Sequence, residues 1–429
     1  MRFFRSAFAF AVPSLALSFA APVLAENWGQ WRGPLGNGVS AETGVPTKWS
    51  ATENVLWKLP LPGPAGATPV VWGDRIFLTA ADGDSLILMC VSTDGKPLWT
   101  QVVGHGNKTA RDDEGNSASP SPCTDGKYVW SFMGTGDLGC YTVDGAEVWK
   151  KNVQDAYGKF DIQFGMSSTP VLHEGVLYLQ LIHGDGNPKT REARVVALKG
   201  ETGEEVWAVE RPSDARAECE HSYASPILYQ DPEREYLVTH GADYIVGHSL
   251  VDGTEIFRCG NLNPERSYNP TLRLVASPAA APGLIVVPSA KHGPVFGLKG
   301  DLMGDVTDDE SAYRWKLQDT PDVPSPLIVD GIVYLCRENG VVVALGAASG
   351  EVFYEERTQD DRHRASPVYA DGHVYVTARR GVVTVLKAGK EFEIVSENAM
   401  GEPLSASPVI SNGRIYLRTF DSLYAIGAK

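Results

Sequence analysis

The sequence predicts an all-β fold: an eight-bladed β-propeller of four-stranded antiparallel blades, closed by an N-terminal strand that completes the last blade. Three observations carry this prediction. One phrase recurs eight times, a small residue, Ser or Thr, Pro, an apolar stretch, a turn and a second apolar stretch, with its prolines at 69, 122, 170, 226, 278, 326, 367 and 408. That period suits a four-stranded blade. Strand candidates such as Ile76-Phe77-Leu78 and Val333-Tyr334-Leu335 are apolar at consecutive positions, so both of their faces must be covered, as when sheets stack radially. No stretch beyond residue 25 sustains a helical period.

Taken in order, residues 1–25 (MRFFRSAFAFAVPSLALSFAAPVLA) pair Arg2 and Arg5 with an apolar run broken by Pro13 and a small-residue site at Val23 and Ala25. This is the pattern of a secretory signal cleaved after Ala25. The run is too short and interrupted for a membrane span, and no Cys follows the cleavage site to carry a lipid. The expected product is periplasmic or secreted, soluble, monomeric and without a stable membrane anchor. Residues 26–52 form a lead-in packed on the outside or on one face, and residues 53–429 form the propeller. ENVLWKLPL (53–61) reads as an orphan outermost strand with its own aromatic, Trp57.

Each full copy then adds a third strand, such as LILMCVST (86–93), and a Gly turn into a fourth. The aromatic falls four residues after the Gly in Gly95/Trp99, Gly145/Trp149, Gly203/Trp207 and Gly253/Phe257. A marker proline that starts the innermost strand has no N–H to donate, and on the channel side it loses no ladder partner. The last copy supplies only three strands, ending in SLYAIG (422–427). Pairing 53–61 with it closes the ring and leaves no bare strand edge.

The 429 residues carry a formal charge of −15, which repels phosphate backbones and excludes nucleic acid as a partner. Six cysteines are too few and too scattered to staple a chain of this size, and most lie in apolar strand runs as small hydrophobes. Cys219 and Cys259 hold equivalent linker positions before successive repeats, a spacing that admits one disulfide.

Eight such phrases with D-G-x-x-x-W turns resemble the pyrroloquinoline-quinone (PQQ)-like propeller repeat superfamily, which includes the quinoprotein alcohol dehydrogenases and the outer-membrane assembly factor BamB. The likeness is nearer to exported bacterial PQQ-binding-like repeat proteins. It is carried by NWGQWRGPLGNGVS (27–40), GDVT with Trp315, VPSPLIVDGIVYL (323–335) and the closing ASPVISNGRIYLRT with LYAIG. It covers essentially all of the chain after residue 25 and speaks to fold far more than to function. The dehydrogenase branch would imply PQQ with Ca²⁺, an adjacent Cys pair, acidic and amide Ca²⁺ ligands, a catalytic Asp and an indole floor. This sequence has no adjacent cysteines, and no such cage can be assigned in it.

Other motifs resolve into turns. GTGDLG (134–139) fits G-x-G-x-x-G but runs into a strand instead of opening a helix, so it cannot cradle a pyrophosphate. DLMGDVTDDE (301–310) has the composition of a Ca²⁺ loop without the EF-hand spacing and reads as an inter-strand loop. Asp112-Asp113-Glu114 reads as an acidic turn, and HGDG (183–186), with His183 and Asp185, as a hydrogen-bonded turn. There is no H-E-x-x-H, paired C-x-x-C or G-x-S-x-G to begin a metalloprotease, zinc or serine-hydrolase site.

The site prediction is positional. Residues just before each marker proline enter the innermost strands from one face and line a funnel mouth: Asn116 with Ser117, Ser167, His221, Tyr223, Arg273, Asp322, Arg362, His363 and Arg364. The cationic side of this set would attract a small acidic ligand or a carboxylate-bearing protein partner. The competing reading pairs these cations with neighbours such as Glu220 and Asp361. The sequence therefore favours a non-catalytic binding or assembly scaffold, with no assigned catalytic residue, metal or cofactor. A divergent PQQ-dependent alcohol or sugar dehydrogenase is the second reading. The third is a carbohydrate-binding propeller using Trp28, Trp31 and Trp49, against which stands packing of these indoles onto the ring.

Overall fold

A computed structural model of the protein describes residues 1, 26–111, 115–184 and 193–428. The expected export signal, apart from Met1, lies outside the described residues, as do Asp112-Asp113-Glu114 and Asp185. Among the described residues the sheets number eight blades and one small two-stranded ribbon, Thr109–Arg111 with Gly115–Asn116. The first blade runs Val70–Trp72, Arg75–Asp82, Ser85–Ser92 and Pro97–His105 from the axis outward. Among the described residues helix is confined to Gln154–Tyr157 and three short 3₁₀ turns.

The pattern of consecutive apolar residues has its expected cause. In the middle strands Ser85–Ser92 and Ile332–Cys336 nearly every residue is buried, whereas the outermost Pro97–His105 alternates with exposed positions. Middle strands are covered on both faces by neighbouring blades, and only the rim meets water.

Closure follows the predicted pairing. Val55–Pro60 lies antiparallel to Ser422–Ile426, with Val55 opposite Ile426, Trp57 opposite Ala425, Leu59 opposite Leu423 and Pro60 opposite Ser422. It forms the outermost strand of the blade whose other members are Val409–Ser411, Arg414–Arg418 and Ser422–Ile426. The fourth blade carries a fifth member: Gly304–Asp305 of the GDVT phrase pairs parallel with Phe257 and Arg258. The acidic loop around it serves local structure, with the Asp309 carboxylate accepting from the Ser311 N–H at 2.8 Å to open the Glu310–Ala312 turn.

Two inter-blade devices explain residues that the sequence shows only as a repeat. The Ser or Thr before each marker proline forms a belt around the axis. The backbone N–H of Thr68 donates to Ser121 Oγ, Ser121 to Thr169, Thr169 to Ser225, Ser225 to Ser277, Ser277 to Ser325, Ser325 to Ser366, Ser366 to Ser407 and Ser407 back to Thr68, all at 2.8–3.2 Å. Each hydroxyl thus satisfies a buried N–H of the preceding blade. Further out, the indole N–H of Trp57, Trp99, Trp149, Trp207 and Trp315 donates to a carbonyl in the next blade's turn at 2.8–3.0 Å. The turn glycine there sits against the ring: at Gly145 (φ 93°) a Cβ would fall 2.8 Å from Trp99. Only glycine allows both the left-handed backbone and the contact.

The lead-in packs on one face, and it also enters the axis. Trp28 bridges Val71, residues 31–36 turn back, and Val39 bridges Tyr369. Between these bridges the buried Arg32 donates to the carbonyls of Ser325 (3.4 Å) and Pro326 (2.7 Å) at the start of an innermost strand. Burial pushes its guanidinium down to about 10. Glu42 then accepts from the N–H of Asn412 at 2.6 Å, and Trp49 stacks on Tyr375 with centroids 6.3 Å apart. The axis is therefore stoppered at the face bearing the turns that follow the innermost strands.

All six cysteines are buried and free. The Cys219–Cys259 disulfide that the spacing admitted is not formed. Cys219 Sγ instead donates to the Asn269 carbonyl and accepts from Asn263, both at 3.3 Å, and Cys259 Sγ meets Tyr313 Oη at 3.3 Å.

Candidate binding site

The face opposite the stopper bears the loops that lead into each innermost strand, and there they enclose a cavity of about 210 Å³ on the axis. All eight loops contribute, from Gly66 in the first to Ser405 in the last. Asn116, Ser167, Tyr223, Arg273, Asp322 and Arg364 of the predicted set line it. The other four do not: Ser117 is buried, its Oγ accepting from the Lys108 N–H at 3.0 Å. Arg362 lines an adjoining trough of about 540 Å³ that shares Asp322 with the axial cavity. His363 is fully buried, its Nδ1 3.0 Å from the Asp361 carbonyl, and burial lowers its pKa. His221 is set back beside Asp161 and His183, and burial lowers its pKa against the opposing pull of Asp161.

One wall is aromatic. The Phe164 and Tyr223 rings lie 6.0 Å apart, and the Arg273 guanidinium stands 4.9 Å from the first centroid and 5.9 Å from the second. Tyr223 Oη accepts from the Phe164 N–H at 3.3 Å, and Ser167 Oγ donates to the Tyr223 carbonyl at 3.2 Å. Burial raises the Tyr223 pKa, which keeps it a neutral phenol. Asn116 is a brace: its amide donates to the Pro64 carbonyl at 2.8 Å and its oxygen accepts from the Ala118 N–H at 2.9 Å.

The cations are held from behind by acids the sequence reading did not select. Arg273 Nε lies 3.1 Å from Glu218, and Arg364 Nη2 lies 3.3 Å from Glu338. Lys291 joins Glu338 (2.7 Å) to Asp322 (3.1 Å), making a chain Asp322–Lys291–Glu338–Arg364. Burial works against ionisation of Glu338, but the hydrogen bond from Lys291 and the charges of Arg364 and Lys291 outweigh it and hold the carboxyl below its usual range. Asp361, proposed as a partner for the predicted cations, pairs with Arg380 at 3.1 Å and accepts from the Arg362 N–H. Phe164 was within reach of sequence reading, since it lies in the same loop as Ser167. Lys291 and Glu338 were not, because they come from turns between middle strands.

The family described as outer membrane protein assembly factor BamB matches the chain over residues 39–180, 134–363 and 338–428. The chain belongs to the BamB family. No curated protein matches it in sequence. Among solved structures it is similar to BamB from Moraxella catarrhalis (14% identity, TM-score 0.61, covering 87% of this chain and 99% of that one). It is also similar to a europium-containing methanol dehydrogenase (10%, TM-score 0.70, 91% and 89%) and to quinohemoprotein alcohol dehydrogenase from Comamonas testosteroni (13%, TM-score 0.66, 94% and 81%). At these identities the likeness shows the fold, a PQQ-like β-propeller.

The residues at the mouth do not fit the cofactor of the dehydrogenase branch. Among the described residues the axial cavity offers one carboxylate, Asp322, already paired with Lys291, and its aromatic wall is Phe164 and Tyr223, with no indole. Among the described residues no three His, Cys, Asp or Glu side chains gather as a metal site. The carbohydrate reading loses its platform as well: the lead-in buries Trp28 and Trp49 in the core against the blades, and of the three indoles only Trp31 is partly exposed.

Proposed function

We propose that this BamB-family protein is an exported, non-catalytic scaffold that engages an acidic ligand or a carboxylate-bearing segment of a protein partner at its axial mouth. The observation that carries the reading is Arg273, fixed by Glu218 and laid against Phe164 and Tyr223 at the edge of a cavity built from all eight loops. A guanidinium fixed in this way has little side-chain entropy left to lose when it pairs with a carboxylate, and the rings offer a surface to the apolar body of the ligand. Export to the periplasm or beyond, and a monomeric state, complete the reading.

The test compares wild-type protein with the Arg273→Ala/Arg364→Ala variant in a pull-down from the exported fraction, alongside calorimetric titration with N-acetylphenylalanine as a carboxylate probe. Loss of partners, and weakening of the probe by roughly 10- to 100-fold, is the expected result. An unchanged partner list and unchanged probe binding would remove the mouth from consideration. Saturable PQQ binding with Ca²⁺ and dye-coupled alcohol oxidation would replace the scaffold reading with the dehydrogenase one.

A further inference from the structure

The stoppered face carries a second groove, and its chemistry differs from that of the mouth. Residues 26–30, which are hydrogen-bonded to Val71, Gly73 and Thr124, and the tip of the lead-in form one wall of a cavity of about 580 Å³ whose other walls are the turns that follow the innermost strands of the first four blades. Its apolar lining includes Leu35, which is 71% exposed, Trp72, which is 36% exposed, and Leu172 and Leu228. A narrow crevice lined by Trp31, Pro170 and Pro226 continues it under the tip through Gln30, Leu35 and Leu228, which border both. Large apolar side chains left in water around a concavity mark a contact surface.

The charged side chains bordering the groove have one sign. Glu26, Asp125 and Glu174 line it, and among the described residues neither Lys nor Arg does. Two of the carboxylates are fixed by the protein's own donors: Glu26 accepts from Ser40 Oγ at 2.6 Å and Asp125 from the Tyr128 N–H at 2.7 Å. His173 lies 3.0 Å from Glu235. Charge complementarity therefore selects a basic occupant. With a formal charge of −15 on the whole chain, an anionic membrane or a nucleic acid is repelled, and a protein segment is the occupant that remains.

We infer that this groove docks an extended segment of a partner protein, with a Leu or Phe side chain seated against Leu35, Leu172 and Trp72 and flanking Lys or Arg residues against Glu26, Asp125 and Glu174. The two faces would then serve different partners, an acidic one at the mouth and a basic, apolar one at the stopper. The same element that closes the axis supplies one wall of the second site.

The test uses the full chain and two fluorescein-labelled octapeptides read by fluorescence anisotropy, one alternating Leu and Phe with Lys, the other with Glu in place of every Lys. The lysine peptide is expected to bind saturably and the glutamate peptide is not. Leu35→Ser and Glu174→Lys, both at exposed positions, should each weaken the lysine peptide roughly fivefold or more. The mouth variant Arg273→Ala/Arg364→Ala should bind it as wild type does, which separates this site from the first. The inference is overturned if neither peptide binds, if both bind alike, or if the Leu35→Ser/Glu174→Lys double variant binds the lysine peptide unchanged. Concentration-dependent dimerisation abolished by Leu35→Ser would assign the patch to a second copy of the chain and would equally overturn it.

Discussion

Arg273 shows how a single side chain acquires a role from its surroundings. Its Nε faces Glu218 at 3.1 Å while the guanidinium plane lies near two rings. Lysine has neither the fork nor the plane, so Arg273→Lys should lose most of the N-acetylphenylalanine binding measured by titration although the charge is kept. A second residue reports on pH. Burial raises the Asp243 carboxyl to about 6, helped by nearby Asp214 and opposed by the hydrogen bond from Tyr268 and the charge of Arg216. Its Oδ2 accepts from Tyr268 Oη at 2.6 Å, and its backbone is left-handed (φ 65°). Because the folded state holds this proton more tightly than the unfolded chain, stability falls as pH rises from about 4 to about 6 and stays lower above that. Urea unfolding across that window should show this slope flattened in Asp243→Asn. How legible were such residues in the sequence? Loop position alone found six of the residues that line the cavity, because topology forces every loop before an innermost strand to the same face. It could not tell that His363 points inward, or that Glu218 and Glu338 brace the arginines, since both facts depend on how loops of unequal length fold over one another.

At the scale of the element, the repeated phrase does more than start a strand. Each marker hydroxyl accepts from the preceding blade, so Ser277→Ala leaves the Ser225 N–H buried without its 2.8 Å partner and should cost about 1–3 kcal/mol in chemical denaturation. The Asp-Gly turns follow a related logic. Gly145→Ala places a methyl against Trp99 in an unfavourable backbone region, for a loss of about 2–4 kcal/mol by the same measurement. The sequence displayed the Ser, the Pro, the Gly and the Trp at regular offsets, so the elements were legible. What each touches was not, because the contacts run between consecutive blades and exist only once the blades stand side by side. The fifth strand Gly304–Asp305 was missed for a further reason: two residues carry no period, and their parallel pairing with Phe257 and Arg258 is a long-range choice.

At the scale of the whole molecule, the architecture was readable because a repeat states its own number, and a last blade short of one strand points to where the missing strand must come from. The lead-in was less readable. Nothing in NWGQWRGPLGNGVS announces that Arg32 will reach the axis and bond to the carbonyls of Ser325 and Pro326, since a buried arginine without a carboxylate partner runs against the usual preference. Removing residues 26–60 should strip the core of Trp28 and Trp49 and bare the edge of Ser422–Ile426. Light scattering should then rise at concentrations where the full chain stays clear.

The pairing of Val55 with Ile426 also bears on how the chain comes to be folded. Synthesis delivers Val55–Pro60 well before Ser422–Ile426, so the early strand must wait, its hydrogen-bonding groups unspent, until the intervening blades have emerged. Seven blades can be laid down in order of synthesis. The eighth is settled only when Ser422–Ile426 has emerged to meet the waiting strand, and until then the protein most needs shelter from its own copies.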